Sequence, residues 1–266
     1  MLIVGELINA SRKQVKPLLE NWDARGIQAL ATEQVEHGAD YLDVNAGSYP
    51  SKEADYLEWM VQVVQDVTDK PCCLDSANGA AIERAMKVHR GTPMINSISM
   101  DEQQQAALMP VIRGADCKVI GLCMGDRGNP PETADDKVNV AAELLAVLDA
   151  NGFDRDQVYL DPLAQTLSAD VRAGMEFFNG VRRIMDEHPG VHTICGASNI
   201  SYGMPARKIV NRAFMVMAIH SGLDGAITNP TDRDMMSSIL AAEALVGRDN
   251  FCENYCNAYR DGLLAV

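Results

Sequence analysis

Short apolar runs alternate with longer amphipathic stretches along the whole chain. Each run has about the length of a buried parallel strand and ends in polar residues. Eight such runs occur, at 2–9, 41–47, 71–76, 93–99, 118–124, 158–163, 192–199 and 226–230. Between them apolar residues recur every three or four positions, which is typical of helices that lie on a core. The pattern predicts an α/β protein built from eight strand–helix units.

Capping residues indicate where several of the predicted helices begin and end. Ser51 and Thr133 are candidate N-caps, and Gly152 is a candidate C-terminal stop. Pro205 suits the first turn of another helix. The last predicted helix covers residues 235–246.

The number of units favours a closed barrel over an open doubly wound sheet. Eight parallel strands close a barrel, and the first strand is not followed by the G-x-G-x-x-G turn of a dinucleotide-binding sheet. We therefore expect a single (β/α)8 TIM barrel that spans residues 1–266 as one domain. In such barrels the active site lies at the C-terminal ends of the strands.

Those strand ends carry carboxylates and carboxamides almost exclusively. They are Glu6, Asn9, Asp43, Asn45, Asp75, Asn96, Asp161, Asn199 and Asn229. Each one alone could cap a helix or start a turn. As a set they would converge on one mouth, without the histidine, cysteine or lysine cluster that acyl transfer, a Schiff base or zinc would need. Such a mouth suits a flat heterocycle rich in hydrogen-bonding groups.

Charge and hydropathy exclude several classes of partner. The formal net charge is −14, and no basic run could offset the phosphates of a nucleic acid. No apolar stretch approaches 18 residues and no signal peptide precedes the first strand. We therefore expect a cytoplasmic protein that binds neither nucleic acid nor membrane.

The cysteines and histidines do not form a pattern typical of a metal site. Seven cysteines include no C-x-x-C pair, and five of them lie in apolar, strand-like stretches. Cys252 and Cys256 are four residues apart but have no third ligand nearby in the sequence. The five histidines are scattered. We expect reduced, buried thiols and no intrinsic metal.

The strand-end segments together resemble a known family. They read GELIN at 5–9, LDVN at 42–45, CLDS at 73–76, MINS at 94–97, LDPL at 160–163 and GASNIS at 196–201. In this order and at this spacing they are similar to the pterin-binding methyltransferases. That family includes methyltetrahydrofolate:corrinoid iron-sulfur protein methyltransferases and the folate module of cobalamin-dependent methionine synthase. The resemblance covers essentially the whole chain.

The resemblance implies a set of site residues. The pterin ring would be held by Asp75, Asn96 and Asp161, Asn199 would lie near N5 as the catalytic residue, and Arg207 would help to hold the folate. The seventh loop would add the remaining contacts, from Gly196, Ser198 and Tyr202. Supporting positions or a proton relay would come from Glu6, Asn9, Asp43 and Asn45.

The resemblance also implies the reaction, a methyl transfer between N5 of tetrahydrofolate and the cobalt of a corrinoid such as cobalamin. Protonation of N5 makes it a leaving group, and the amide oxygen of Asn199 can accept a hydrogen bond from the protonated nitrogen. The proton could come through water held by Asp43, Asp75 or Asp161, which the sequence does not rank. The chain lacks a D-x-H-x-x-G corrinoid motif, so a separate corrinoid protein is expected to carry the cobalt. A homodimer is expected by analogy.

Two loops bear on the direction of transfer and on contacts with ligand or partner, and the sequence also leaves two alternative functions open. Residues 202–205 depart from the iron-sulfur-protein methyltransferases, which favours methylation of tetrahydrofolate as the direction. The loop at 126–131 could cover the pterin, contact the partner or be a solvated connection. The alternatives are a dihydropteroate-synthase-like enzyme, although its first-loop motif Asn-x-Thr-Pro-Asp-Ser-Phe is missing, and a non-catalytic folate-binding protein.

Overall fold

Eight parallel strands form a closed barrel in the computed structural model, which describes residues 1–125 and 128–265. Each strand pairs with its neighbour in sequence, and β8 pairs with β1. The strands are β1 (Leu2–Asn9), β2 (Tyr41–Asn45), β3 (Cys72–Asp75), β4 (Met94–Ile98), β5 (Lys118–Leu122), β6 (Val158–Asp161), β7 (His192–Gly196) and β8 (Gly225–Thr228). The predicted (β/α)8 TIM barrel is confirmed.

Helices surround the barrel and connect successive strands. They are α1 (Lys16–Glu20), α2 (Ala24–Glu36), α3 (Glu53–Gln65), α4 (Gly79–Val88), α5 (Glu102–Ile112), α6 (Ala134–Ala150), α7 (Ala173–Glu187), α8 (Arg207–His220), α9 (Arg233–Leu245) and α10 (Glu253–Arg260). The larger part of the core lies between these helices and the outward faces of the strands. In the predicted loop at 126–131, Asp126 and Arg127 lie outside the described residues.

The interior of the barrel has an apolar lower part. Side chains alternate between the two faces of a strand, so every second residue of each strand points inward. One compact buried cluster contains such alternate residues from seven strands: Val4, Tyr41, Cys73, Met94, Ile120, Tyr159 and Ile194. Residues two positions further along these strands share the inward face, nearer the C-terminal end. This rule places the strand-end polar residues inside the mouth.

The helix boundaries agree with the sequence at α6. The hydroxyl of Thr133 accepts a hydrogen bond from the Asp136 N–H, and the Asp136 carboxylate accepts one from the Thr133 N–H, which is a complete capping box. Gly152 follows the end of α6 with a φ of +83°, a value that glycine adopts without strain. Both predicted boundaries are confirmed.

Other predicted boundaries were wrong. Ser51 does not cap α3, because the N-cap position is occupied by Lys52 and has no side-chain hydrogen bond. Pro205 lies before α8, whose N-cap is Ala206 in a left-handed conformation. The helix predicted at 235–246 is α9, but it is not the last helix, since α10 follows it.

Five of the seven thiols are buried, as expected, and two are exposed. Five cysteines are buried, namely Cys72, Cys73, Cys117, Cys123 and Cys195, whereas Cys252 and Cys256 are exposed near α10. Burial raises the pKa of the Cys72 and Cys117 thiols to about 12. All seven are free, and the described residues contain no group of three or more potential ligands that could hold a metal ion. None of the described helices is both long and apolar enough to cross a membrane.

Candidate functional site

Three neighbouring strands bring polar residues to the same level of the mouth. Asn45 on β2 is the register partner of Asp75 on β3, and Asp75 is the partner of Asn96 on β4. All three are partly accessible, while the residues before them are buried. Their side chains share the inward face with the apolar cluster below them. Strand register alone therefore assembles a row of one carboxylate between two carboxamides.

Asp43 lies beneath this row and is almost completely buried, with 2% exposure. Its Oδ1 accepts a hydrogen bond of 3.1 Å from Nδ2 of Asn96. Burial raises the pKa of Asp43 well above its usual range, and the nearby negative charge of Asp75 raises it further, although the Asn96 amide opposes this shift. Asp43 is therefore suited to hold a proton inside the barrel.

Asp75 is a second carboxyl that burial makes hard to ionise. Burial raises its pKa to about 6, with a further contribution from Glu53, while the Asn45 amide lowers it. Nδ2 of Asn45 also lies 3.2 Å from the Asp75 carbonyl oxygen. Glu53, at the start of α3, accepts a hydrogen bond of 2.6 Å from Ser76. The carboxyl groups of Asp43, Asp75 and Glu53 thus lie together on the β2–β4 side of the mouth.

Asp161 ends β6 on the other side of the mouth. Burial raises its pKa to about 6, and two groups oppose that shift, the backbone N–H of Leu163 and the ammonium of Lys137. The Leu163 N–H donates to Asp161 Oδ1 over 2.8 Å, and Leu163 has a φ of +54°, unusual for a branched residue. The loop after β6 is therefore shaped around this carboxylate.

Lys137 is a functional candidate that the sequence analysis missed. It is only 1% exposed, and its Nζ donates to the carbonyl oxygens of Pro131, Pro162 and Leu163 at 3.1, 2.8 and 2.8 Å. The signal was available, because Lys137 falls on the buried face of α6, four residues before Ala141. A lysine at such a position needs a fixed set of partners.

The loop after β7 carries the predicted catalytic residue. β7 ends at Gly196, which is partly exposed, and Ser198 and Asn199 follow in an exposed turn. This turn is held from behind by Arg207, whose Nη2 donates to the Ser198 carbonyl oxygen at 2.6 Å and whose Nε donates to Ser201 Oγ at 3.0 Å. Arg207 thus orients the turn as well as adding positive charge to the rim.

Tyr202 lies at the outer edge of the same loop and is 70% exposed. The Arg207 guanidinium carbon lies 5.9 Å from the centre of its ring, a distance typical of a cation–π contact. The backbone oxygen of Tyr202 accepts hydrogen bonds from the hydroxyls of Thr166 at 2.7 Å and Ser168 at 2.9 Å. The loop after β6 therefore supports the loop after β7.

Several of the remaining predicted residues are engaged in turns or ion pairs. The side-chain oxygens of Asn9, Asn45 and Asn229 accept backbone N–H groups two residues ahead. Glu6 forms an ion pair with Arg12 at 3.0 Å. These residues thus fill the structural roles that their types suggest, and Asn45, Glu6 and Asn229 also border the mouth.

Cavities flank the polar row on both sides. A cleft of about 190 Å³ opens between the ends of β1, β7 and β8 and is lined by Glu6, Arg12, Ser198, Asn211 and Asn229 among others. An open groove of about 440 Å³ lies beyond β4 and β5, next to Ser99 and Leu122. A larger cavity of about 500 Å³ lies outside the barrel, between α2, α9 and α10. Because active sites of such barrels occupy the C-terminal face, the mouth is the better candidate.

The arrangement favours binding a planar, polar heterocycle over covalent catalysis. Carboxylates accept hydrogen bonds, and carboxamides both donate and accept them. A pterin presents an amino group, ring N–H groups and a carbonyl along one edge, which these groups match. In these partly buried surroundings an unpaired polar group costs free energy, which makes each such bond selective.

Comparison with known proteins agrees with this geometry. The sequence profile of the family described as "Pterin binding enzyme" matches residues 5–229. The chain is 32% identical to the methylcorrinoid:tetrahydrofolate methyltransferase of Eubacterium limosum, over 98% of this chain and 97% of that protein. It is 26% identical to the methionine synthase of Mycobacterium tuberculosis, over 86% of this chain but only 20% of that protein.

Solved structures with the same fold include dihydropteroate synthases. The Coxiella burnetii enzyme, in complex with pteroic acid, superimposes with a TM-score of 0.71 over 93% of this chain and 94% of that chain. The Xanthomonas albilineans enzyme gives 0.70 over 94% and 93%. Sequence identity is 14% in both cases, so this likeness shows the fold alone.

Proposed function

Since this chain belongs to the pterin binding enzymes and, within them, to the methyltransferases, we propose that it transfers a methyl group from a corrinoid on a partner protein to N5 of tetrahydrofolate. The full-length relative named for this reaction supports the direction. The departure of residues 202–205 from the iron-sulfur-protein methyltransferases agrees with it. The reverse transfer, from 5-methyltetrahydrofolate, uses the same groups.

The observation that carries the proposal is the inward-facing set of Asp75, Asn96 and Asp161 on β3, β4 and β6. In our proposal the two carboxylates accept the amino and ring N–H groups of the pterin, and Asn96 pairs with the remaining edge. A hydrogen bond to a charged group contributes about 1.5–3 kcal/mol, so the two carboxylates, with the neutral Asn96 amide beside them, supply both affinity and selectivity. Gly196, Ser198, Tyr202 and Arg207 would complete the folate site from the β7 side.

Asn199 is our proposed catalytic residue. It follows β7 in an exposed turn, which suits a group that must meet both the folate and an incoming partner. Its amide oxygen would accept a hydrogen bond from N5 while that nitrogen is protonated and positively charged. Since an amide has no useful pKa, Asn199 would stabilise charge and not transfer the proton itself.

The transfer is a displacement at the methyl carbon. The N5 lone pair forms the new N–C bond, the carbon–cobalt bond breaks with its electron pair remaining on cobalt, and N5 then loses its proton. Asp43, Asp75 and Asp161 are candidates for the group that receives it through water, because burial raises the pKa of each carboxyl, to about 6 for Asp75 and Asp161. The protein would contribute mainly alignment of the reacting atoms.

Further predictions concern assembly and location. The corrinoid protein would dock on the face that carries the Asn199 turn, because the cobalt must reach N5. We also propose that residues 1–266 form one pterin-binding domain, that the chain forms a homodimer and that it functions in the cytoplasm. Glu6, Asn9, Asp43 and Asn45 would support the site. Light scattering on the purified protein tests the dimer.

The reaction has a direct spectroscopic test. Purified protein is mixed with tetrahydrofolate and methylcobalamin, or with a methylated corrinoid protein, under anaerobic conditions. We expect 5-methyltetrahydrofolate to form while the visible spectrum changes from methylated to reduced corrinoid. Folate binding without any spectral change, with every corrinoid tested, would instead favour a non-catalytic folate-binding protein. Formation of dihydropteroate from a pterin pyrophosphate and p-aminobenzoate would favour the dihydropteroate-synthase alternative.

A further inference from the structure

The buried ammonium of Lys137 joins two loops at the mouth. Its three hydrogen bonds reach Pro131, in the loop after β5, and Pro162 and Leu163, in the loop after β6. The Gln165 side chain also donates to the Pro131 carbonyl oxygen, at 2.8 Å. All three N–H groups of the ammonium are therefore directed at backbone oxygens of these two loops.

The backbone of the loop after β6 also contacts the carboxylate of Asp161. The peptide group between Pro162 and Leu163 accepts a hydrogen bond from Lys137 at its carbonyl oxygen and donates one to Asp161 Oδ1 from its N–H. Lys137 and Asp161 are close enough for each charge to stabilise the other. Lys137 thus acts on Asp161 both through the backbone and through its charge.

Helix α7 leaves room for this lysine. A Cβ added to Gly180 would lie 3.0 Å from Cδ and 3.3 Å from Cβ of Lys137. Gly180 lies within a helix and does not have a positive φ, so the reason for glycine here is space and not backbone conformation. Helices α6 and α7 therefore together accommodate the buried ammonium of Lys137. Burial of a charge costs free energy unless hydrogen bonds and opposite charges compensate it.

We propose that Lys137 is a positioning residue for folate binding, which holds the loop after β6 so that the Asp161 carboxylate is fixed toward the pterin. This inference rests on the proposed function, because it assumes that Asp161 binds the pterin. Lys137 itself lies behind the loop and does not contact substrate.

The electrostatic surroundings give the proposal a distinctive pH dependence. Burial raises the pKa of Asp161 to about 6, and Lys137 holds it down. Cys123 and Cys195 approach from β5 and β7 but are neutral thiols, because burial raises the pKa of each. The acidic side chains of Glu176 on α7 and Asp136 on α6 lie close enough to Lys137 to raise its pKa, against the larger lowering by burial. Lys137 is thus the positive group facing Asp161 from these elements, and removing it must raise the pKa of the Asp161 carboxyl.

The test replaces the ammonium with an apolar chain of similar length, Lys137→Met. Lys87→Met is the matched control, because Lys87 is an exposed lysine on α4 that pairs with Glu83 on the same helix. Two properties are measured: the pKa of Asp161 in the ligand-free protein, by carbon NMR of labelled carboxyl groups assigned with Asp161→Asn, and the Kd of tetrahydrofolate from pH 5.5 to 9.

We expect Lys137→Met to raise the pKa of Asp161 above its value of about 6 and so to reduce the ionised fraction at pH 7. Folate binding at pH 7 should weaken about twofold for a rise of one unit and about tenfold for a rise of two. Most of the loss should be recovered at pH 9, where Asp161 is ionised again. The control should match the wild-type protein. An equal loss of affinity at every pH, with an unchanged Asp161 titration, would show a structural role only and overturn the proposal.

Two further variants guard against misfolding. Gly180→Ala crowds Lys137 without removing its charge, and it should move both measured properties in the same direction by a smaller amount. In an Asp161→Asn background, Lys137→Met should leave the folate Kd unchanged, whereas additive losses would contradict the proposed route through Asp161. If the wild-type protein binds no folate at any pH, the proposed function fails, and the carboxyl titration still decides whether Lys137 controls Asp161.

Discussion

Asn96 on β4 donates a hydrogen bond to Asp43 on β2 across the inside of the barrel, bypassing the strand between them. Alternate strands contribute side chains to a common interior layer in this fold, so the contact follows from the barrel itself. It directs the NH₂ group of Asn96 inward and down and leaves its amide oxygen available to accept a hydrogen bond from a ligand.

Asn96→Ala should therefore weaken tetrahydrofolate binding by about 10- to 100-fold, the equivalent of one hydrogen bond in a partly buried site. Asn139→Ala is the matched control, since Asn139 is exposed on the middle of α6. Titration calorimetry at pH 7 measures both variants. An unchanged Kd for Asn96→Ala would remove Asn96 from the pterin site.

Asp75→Asn should stabilise the ligand-free protein at high pH. The pKa of Asp75 is raised from 3.8 to about 6 in the folded state, so ionisation opposes folding progressively between pH 4 and pH 6 and fully above that. Removing the charge should raise the free energy of unfolding by up to about 3 kcal/mol at pH 8, the equivalent of two pKa units, and by much less at pH 3.5.

Urea unfolding at the two pH values measures this difference, and Asp55→Asn on the exposed face of α3 is the control. The same Asp75 variant should bind folate poorly. A variant that is no more stable at pH 8 than at pH 3.5, relative to the wild-type protein, would contradict the buried position of this carboxyl.

Asn199→Ala should lower the rate of methyl transfer by about 10- to 1,000-fold. Losses of this size follow when an enzyme loses one group that stabilises a charged transition state. Because Asn199 is exposed, its melting temperature should stay within one or two degrees of the wild-type value. Stopped-flow absorbance of the corrinoid at saturating folate measures the rate. Weaker folate binding with unchanged turnover at saturation would contradict a catalytic role.

Arg207→Met should raise the KM for folate by about tenfold, since charge-assisted hydrogen bonds of this kind contribute 1.5–3 kcal/mol. The variant releases the turn that Arg207 holds at Ser198 and Ser201. Arg183→Met, which removes exposed ion pairs on α7, serves as the control. Steady-state kinetics distinguish the two, and an unchanged KM would show that the turn keeps its shape without Arg207.

Thr133→Ala should cost about 1 kcal/mol of stability through loss of the capping box and leave methyl transfer unchanged. Thermal unfolding and the corrinoid assay measure the two effects. A large loss of activity would indicate that α6 transmits its position to the mouth, which Lys137 makes physically possible.

The sequence predicted the barrel because the number of strands and their alternation are local patterns that tertiary contacts only reinforce. Strand ends were harder to place. The strand predicted at 192–199 stops at Gly196, since the residues beyond it turn to satisfy their own backbone groups. The same turning exposes Asn199, so its accessibility could not be inferred from a strand.

The inward orientation of Asp75, Asn96 and Asp161 could also be predicted, because a period of two determines which face each residue joins. The groups that contact these three residues could not be predicted. Lys137 is 24 residues from Asp161 in sequence, and only the packing of α6 against the loop after β6 brings it near. Similarly, Ser51 looked like a cap, but the geometry of the turn before α3 determines where the helix begins.

The five buried cysteines can report on local opening of the fold. A thiol reagent added to the native protein should modify only Cys252 and Cys256, whereas all seven should react in urea. Cys73, Cys123 and Cys195 belong to strands β3 and β7 and to the end of β5, so the rate at which each becomes alkylated measures how often that part of the barrel wall opens. Bound folate should slow these openings. The alkylation rate of each cysteine with and without folate would then show which parts of the barrel the ligand stabilises.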